Sequence, residues 1–284
     1  LAAHPNFKID ANGLGASRLK TGEIGAFFSG SWDADHLRDA LGDKLGAVQL
    51  PTVEIGGEQK QMKAFAGSKA VGVNPNADEP ELAMAFAAFL STAEAQKLRY
   101  EHSGFIPAAK SLANDPVISN DPVAVAEINT IAYTSVVQPT IPEMNNYWGP
   151  LGAFGAQVAN GDINEDNYQQ QVDQLMAELN NAPGNDEPVE PEVPEVPEGP
   201  DTLPPIEGGI PVTLKVWAPA EDQRQNQSWL IRMENSFRNA HPEYSITWIN
   251  EVCYESDAGD TVSRDPEAAA DVYLFSNDHM GTLV

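Results

Sequence analysis

The chain has 284 residues, of which 16 are lysine or arginine and 42 are aspartate or glutamate, and its net charge is -26 at pH 7. This length predicts one large domain or two ordinary ones, and the negative charge argues against nucleic acid or an anionic lipid surface as a partner, because both require positive protein surface. No run approaches the roughly 20 apolar residues that span a bilayer, so direct insertion of this segment into a membrane is not expected.

Short apolar strands alternate with amphipathic helices before residue 183. Apolar runs at 24–29 and 70–73 predict strands of a sheet buried on both faces. An apolar stripe at helical spacing predicts a helix over 79–100, and a similar stripe predicts another over 165–180, with Asn164 as its N-cap. We expect both stripes to face a core.

Proline and acidic residues dominate the stretch 183–210, which contains no lysine or arginine. From Pro188 to Pro200 a proline recurs at every third residue, which matches the three-residue turn of polyproline II. Proline fixes φ and like charges repel, so the stretch is predicted to be an extended spacer between domains. A proline-rich recognition motif is the alternative interpretation.

After the spacer the alternation of strands and helices begins again. The pattern predicts strands at 212–217, 245–250 and 271–275 and a helix over 228–240, an order typical of an α/β domain with a largely parallel sheet. Three tryptophans lie within these elements and are predicted to be core residues: Trp217, Trp229 and Trp248.

Three stretches resemble the extracellular solute-binding proteins of sugar ABC importers, of the maltose/maltodextrin type. Residues 20–32, KTGEIGAFFSGSW, are similar to a strand-to-loop signature of the family's C-terminal lobe. Residues 216–223, VWAPAEDQ, and 271–278, DVYLFSND, are similar to the first strand and the cleft edge of its N-terminal lobe. The resemblance implies an α/β fold with lobes like those of type II periplasmic binding proteins, here incomplete.

The order of the resembling stretches is inverted relative to the family. Residues 1–182 match a C-terminal lobe, 183–210 form the linker, and 211–284 match the beginning of an N-terminal lobe. A window on tandem binding proteins and a truncated circular permutant both explain this order. The first is favoured here, because both ends of the chain have the character of cuts through a longer protein.

The resemblance also implies the residues that contact a sugar. Aromatic faces cover the apolar faces of pyranose rings, and carboxylates accept hydrogen bonds from hydroxyl groups. Trp32 and Trp148 lie in stretches flanked by glycine or proline and match the aromatic residues that stack on a bound glucan. The other residues implied to bind the ligand are Tyr147, Glu221, Asp222, Phe275 and Asp278.

The implied function is binding of maltodextrin or a related oligosaccharide in an interlobe cleft and its delivery to the membrane subunits of an ABC importer. The implied location is the bacterial cell surface or periplasm, as a lipoprotein whose anchor lies outside this segment. A non-transporting starch- or glycan-capture module at the cell surface is the main alternative, and a glycoside hydrolase is a remote one.

Neither the cysteine nor the histidines indicate catalysis or a metal. Cys253 has no neighbouring histidine to activate it, and it has no second cysteine with which to form an internal disulfide. The five histidines lack metal-ligand spacing, and no motif singles out one pair among the 42 acidic residues as a general acid and base. The sequence therefore predicts a binding protein with no catalytic residues, no metal and no cofactor.

Overall fold

The structure is a computed structural model that describes residues 6–7, 14–141, 144, 147–180, 206–223 and 228–283; the side chains at 32, 35 and 282 are not described. Most of the spacer therefore lies outside the described residues. The chain divides into two units: Leu1–Phe28 with Pro139–Pro191, and Ser29–Gln138 with Glu192–Val284. We call these unit 1 and unit 2. The domain limits at 182 and 210 stay predictions.

The described helices and strands are as follows. The helices are α1 (Gly15–Thr21), α2 (Ala34–Leu41), α3 (Pro80–Leu90), α4 (Ala93–Ser103), α5 (Pro116–Ser119), α6 (Pro122–Tyr133), α7 (Trp148–Asn160), α8 (Tyr168–Asn180), α9 (Trp229–Ala240), α10 (Ala258–Arg264) and α11 (Met280–Leu283). The strands are β1 (Thr52–Ile55), β2 (Glu58–Gln61), β3 (Ala64–Ala66), β4 (Lys69–Val73), β5 (Ser135–Val137), β6 (Ile210–Ala218), β7 (Tyr244–Val252) and β8 (Val272–Ser276).

A four-stranded sheet in the order β4-β8-β6-β7 forms the centre of unit 2. Strand β6 is parallel to both β7 and β8, as the sequence predicts, and β4 joins β8 in antiparallel register, with Val73 opposite Val272. The two remaining β pairs of this unit are the hairpin β1–β2 and the parallel pair β3–β5. The sheet thus combines a strand that precedes the spacer with three that follow it.

Alternating side chains of the sheet enter two apolar cores. On one face Leu214, Val216 and Leu274 pack with residues of α3 and α9, including Phe86 and Phe237. On the other face the core contains residues of β6 and β8 together with α10: Trp217, Tyr273, Phe275, Ala258 and Val262. This layered arrangement of helices on both faces of a mostly parallel sheet is the α/β class predicted from the sequence.

Several helices of unit 2 begin directly after a serine or aspartate whose side chain caps the helix N-terminus. Ser228 caps α9, since its Oγ accepts a hydrogen bond from the backbone N–H of Ile231 at 3.2 Å. Asp115 and Asp121 cap α5 and α6 in the same way. The single helix predicted over 79–100 is wrong in one respect: Thr92 caps a new helix, so α3 ends at Leu90 and α4 begins at Ala93.

Unit 1 contains helices α1, α7 and α8. Among its described residues, the buried ones are Gly15, Met144 and Ile163. The stripe of α8 is therefore not the buried core face that its spacing predicts: Tyr168 and Met176 are exposed. The strand predicted at 24–29 is also wrong, because these residues form neither a strand nor a helix.

Candidate functional site

The candidate polar site in unit 2 lies where its three parallel strands end. Strands β6, β7 and β8 run in the same direction, so the segments that follow them meet at one edge of the sheet. In open α/β sheets, ligands bind outside this carboxyl edge. Glu221 and Asp222 follow β6, Glu255 follows β7, and Asp278 follows β8.

A buried ion-pair network connects this edge to helix α4. Arg99 donates from Nε and Nη2 to Oδ2 of Asp222, at 3.0 and 2.6 Å, and from Nη2 to Oε1 of Glu255 at 2.7 Å. Lys69 Nζ lies 2.9 Å from Oε2 of Glu255 and donates to Oγ of Ser276 at 2.8 Å. The network therefore joins α4, the start of β4, the segments that follow β6 and β7, and the last residue of β8.

The charges of this network depend on one another. The guanidinium of Arg99 also lies 4.3 Å from the centre of the Phe105 ring. Burial raises the pKa of Asp222, and the attraction of Arg99 opposes that rise. Burial lowers the pKa of Arg99, but Asp222 and Glu255 together outweigh it, so the guanidinium stays charged. A charged arginine thus lies between two buried carboxylates and connects the segments after β6 and β7 at this edge of the sheet.

The sequence-predicted residues of unit 2 lie in different environments. Asp222 is fully buried against Arg99, and Phe275 is a core side chain whose ring centre lies 5.7 Å from that of Tyr273. Glu221 and Asp278 are half-buried at the sheet edge. The side chain of Trp32, which stands in the short helical turn Ser31–Asp33, lies outside the described side chains.

In unit 1 the predicted aromatic residues form a pair. Trp148 is the first residue of α7 and is 51% exposed, and the ring of Tyr147 lies perpendicular to its indole at a centre-to-centre distance of 5.2 Å. An edge-to-face pair of this kind holds the orientation of both rings. Trp148 therefore presents aromatic surface to solvent from a helix end.

The residues that position Asp222 are absent from the sequence-based prediction. Arg99 lies 123 residues from Asp222 in sequence and 156 from Glu255. No local sequence pattern could have found partners so far apart. Within the described part of the chain, no group of three or more histidine, cysteine or acidic side chains is arranged to hold a metal ion.

Two other sequence-based expectations concern core tryptophans and the thiol. Trp217 and Trp229 are buried, as predicted, and Trp248 packs against the same core while partly exposed. Cys253 is half-buried, and burial raises the pKa of its thiol to about 11, which disfavours the reactive thiolate.

Among the described helices, none is both long and apolar enough to cross a bilayer.

Comparison with known proteins confirms the resemblance to solute-binding proteins. The family "Bacterial extracellular solute-binding protein" matches residues 10–126. A galactooligosaccharide-binding protein of Bacillus subtilis is 36% identical over 145 residues, which are 51% of this chain and 33% of that protein. A maltooligosaccharide ABC transporter solute-binding lipoprotein of Streptococcus pneumoniae is 29% identical over 149 residues, 51% of this chain and 34% of that protein.

Solved structures agree on the fold. One structure determined with acarbose has a TM-score of 0.59 and 41% identity, covering 63% of this chain and 48% of that one. The maltodextrin-binding protein MalE1 of L. casei, solved without ligand, has a TM-score of 0.51 and 24% identity, covering 62% of this chain and 47% of that one. The α/β fold of periplasmic binding proteins is thus confirmed. The chain spans about a third of the length of the curated relatives that it matches.

Proposed function

We propose that the chain is part of an extracellular solute-binding protein that binds an α-glucan of the maltodextrin type and delivers it to the membrane subunits of an ABC importer. The proposal is supported by the matched family and by the oligosaccharides that two relatives are named for. It assigns the protein a binding role at the bacterial cell surface, with no bond made or broken.

The observation that carries the proposal is the exposed indole of Trp148, held by the perpendicular ring of Tyr147. The C–H faces of a pyranose ring are apolar, and a flat aromatic ring covers them with large contact area at a small cost in conformational entropy. We propose that Trp148 stacks on a glucose unit and that Tyr147 fixes the orientation of its indole. Trp32 of unit 2 is proposed separately as an aromatic residue that contacts a sugar, as the resemblance to the family implies.

Carboxylates at the sheet edge of unit 2 are proposed as polar sugar contacts of that unit. Glu221 and Asp278 are half-buried residues there, and carboxylates are strong acceptors of hydrogen bonds from hydroxyl groups. Asp222 acts through its ion pair with Arg99, which holds the segment containing Glu221 in place. Phe275 supports the edge from within the core.

Delivery requires that the importer distinguish loaded from empty protein. In the proposed mechanism the ligand makes more contacts in the closed form of the parent protein than in the open form. It therefore shifts the equilibrium toward closure by the difference in binding free energy. Maltodextrin would be released when docking on the importer reverses that preference.

Isothermal titration of the full-length parent protein with three sugars tests the ligand class. We expect maltotriose to bind with a dissociation constant in the micromolar range, about -8 kcal/mol, and xylotriose not to bind. A galactooligosaccharide is the matched competitor, because one relative is named for it. Binding of that sugar alone would contradict the glucan assignment and keep the transport role, whereas a flat trace with all three would contradict both.

A further inference from the structure

The segment after the spacer completes its sheet with a strand from before the spacer. Strand β4 pairs with β8 in antiparallel register from Lys69 opposite Ser276 to Val73 opposite Val272. The hydrogen bond from the backbone N–H of Asn74 to the carbonyl of Asp271, at 2.9 Å, continues this pairing. Without β4, strand β8 would be an open edge with unpaired backbone groups.

The principal core of unit 2 is shared between the same two segments. Phe86 of α3 is fully buried, and its ring centre lies 5.1 Å from that of Phe237 of α9 and 4.7 Å from that of Trp248 of β7. Trp229 of α9 donates from Nε1 to the carbonyl of Ala95 in α4 at 2.9 Å. Each segment alone would leave a broad apolar face in water.

Polar contacts fix the register of the two segments. Arg99 lies before the spacer, and both of its carboxylate partners, Asp222 and Glu255, lie after it. Asn74, which is 2% exposed, donates from Nδ2 to the carbonyl of Pro266 at 2.7 Å. Because these groups are buried, a shifted arrangement would leave charges and amides without partners, so the contacts select one way of docking.

We propose that residues 29–138 and 206–283 are complementary partners whose association does not depend on the covalent connection through the spacer. Hydrolysis of one spacer peptide bond, with uptake of one water to give a new carboxylate and a new amine, leaves unit 2 assembled as a two-chain complex. The interface is apolar at its centre and carries a buried cation facing two buried carboxylates. Each segment therefore carries a surface complementary to the other segment of this chain. This inference is independent of the proposed sugar binding.

The test places a recognition sequence for a site-specific protease between Glu190 and Glu198 of the full chain. After complete cleavage, verified on a denaturing gel, we expect both fragments to elute together from a gel-filtration column at the volume of the uncut chain. Separate elution would overturn the proposal.

A second readout distinguishes specific docking from loose aggregation. Cleavage turns unfolding into dissociation of two chains, so the melting temperature of the cut protein should rise with protein concentration. The uncut protein, as its matched control, should melt at a temperature that is independent of concentration. A melting temperature of the cut protein that does not depend on concentration would contradict the inference.

Discussion

Replacing Arg99 with methionine is expected to destabilise unit 2 by about 3–5 kcal/mol, because it leaves the buried carboxylate of Asp222 without its cation and Glu255 with only the ion pair to Lys69. Asp222 is fully buried and Glu255 is 5% exposed, so neither can recover its hydration without local unfolding. Methionine keeps apolar contact with Phe105 and Trp229, over whose rings the guanidinium lies. The loss of stability therefore measures the removal of the guanidinium charge, because methionine fills most of the space of the arginine side chain.

Urea unfolding at pH 7 measures this effect, with Arg232→Met on the exposed face of α9 as the matched control. A double variant that adds Asp222→Asn to Arg99→Met removes the uncompensated charge and keeps the Lys69–Glu255 ion pair, and we expect it to recover part of the lost stability. A loss below about 1 kcal/mol in Arg99→Met, the range of an exposed ion pair, would show that the network is not a structural centre. A double variant less stable than Arg99→Met would show that the loss does not come from the unpaired charge of Asp222.

Replacing Glu234 with glutamine is expected to stabilise the protein above neutral pH. Glu234 is fully buried between α9 and the sheet, and both of its carboxylate oxygens are cut off from solvent. Burial raises its pKa from 4.5 to about 8, although a hydrogen bond from the Asn250 side chain opposes that rise. Oδ1 of Asn250 is itself a buried acceptor without a partner, so a protonated Glu234 offers the donor that this pair of acceptors lacks.

The sign of the pH dependence follows from the two pKa values. Between about pH 4.5 and pH 8 the folded protein holds a proton on Glu234 that the unfolded chain has released. The contribution of this group to stability is therefore largest at low pH and is lost as pH rises toward 8. Glu234→Gln removes this dependence, and we expect a gain of about 1–3 kcal/mol at pH 8.

Unfolding by urea at pH 5 and pH 8 tests the Glu234 prediction. The stability difference between Glu234→Gln and the natural sequence should be larger at pH 8 than at pH 5. The exposed Glu267→Gln serves as the control and should change stability little at either pH. An equal difference at both pH values would contradict a protonated Glu234.

The elements after the spacer could be predicted closely from the sequence because their signals are local. Apolar runs and alternation of apolar with polar residues predict β6, β7 and β8 to within a few residues, and Ser228 marks the start of α9. Before the spacer, local patterns mispredict burial, because burial depends on tertiary contacts. The stripe of α8 has helical spacing, yet no described side chain of α8 is buried, because spacing predicts an apolar face but not a neighbour to cover it.

The candidate site could be predicted only in part. Trp148 is exposed at a helix end, and its contact with a sugar stays a prediction that rests on the resemblance to the family. The environment of Asp222 could not be predicted, because its partner Arg99 is 123 residues away on a helix that no motif connects to it. The composition of the spacer predicts a domain boundary there, whereas unit 2 contains residues from both sides of the spacer. Composition describes local properties of the chain and does not reveal long-range contacts.

Titration of maltotriose into the full-length protein carrying Trp148→Ala tests the central claim most directly. Tyr168→Ala removes another exposed aromatic ring, on α8 of the same unit, and is the matched control. We predict that Trp148→Ala weakens binding about tenfold or more, a loss of roughly 1.4 kcal/mol or greater, and that Tyr168→Ala leaves it unchanged. Equal affinities for Trp148→Ala and the natural sequence would contradict the stacking of a glucan on this indole.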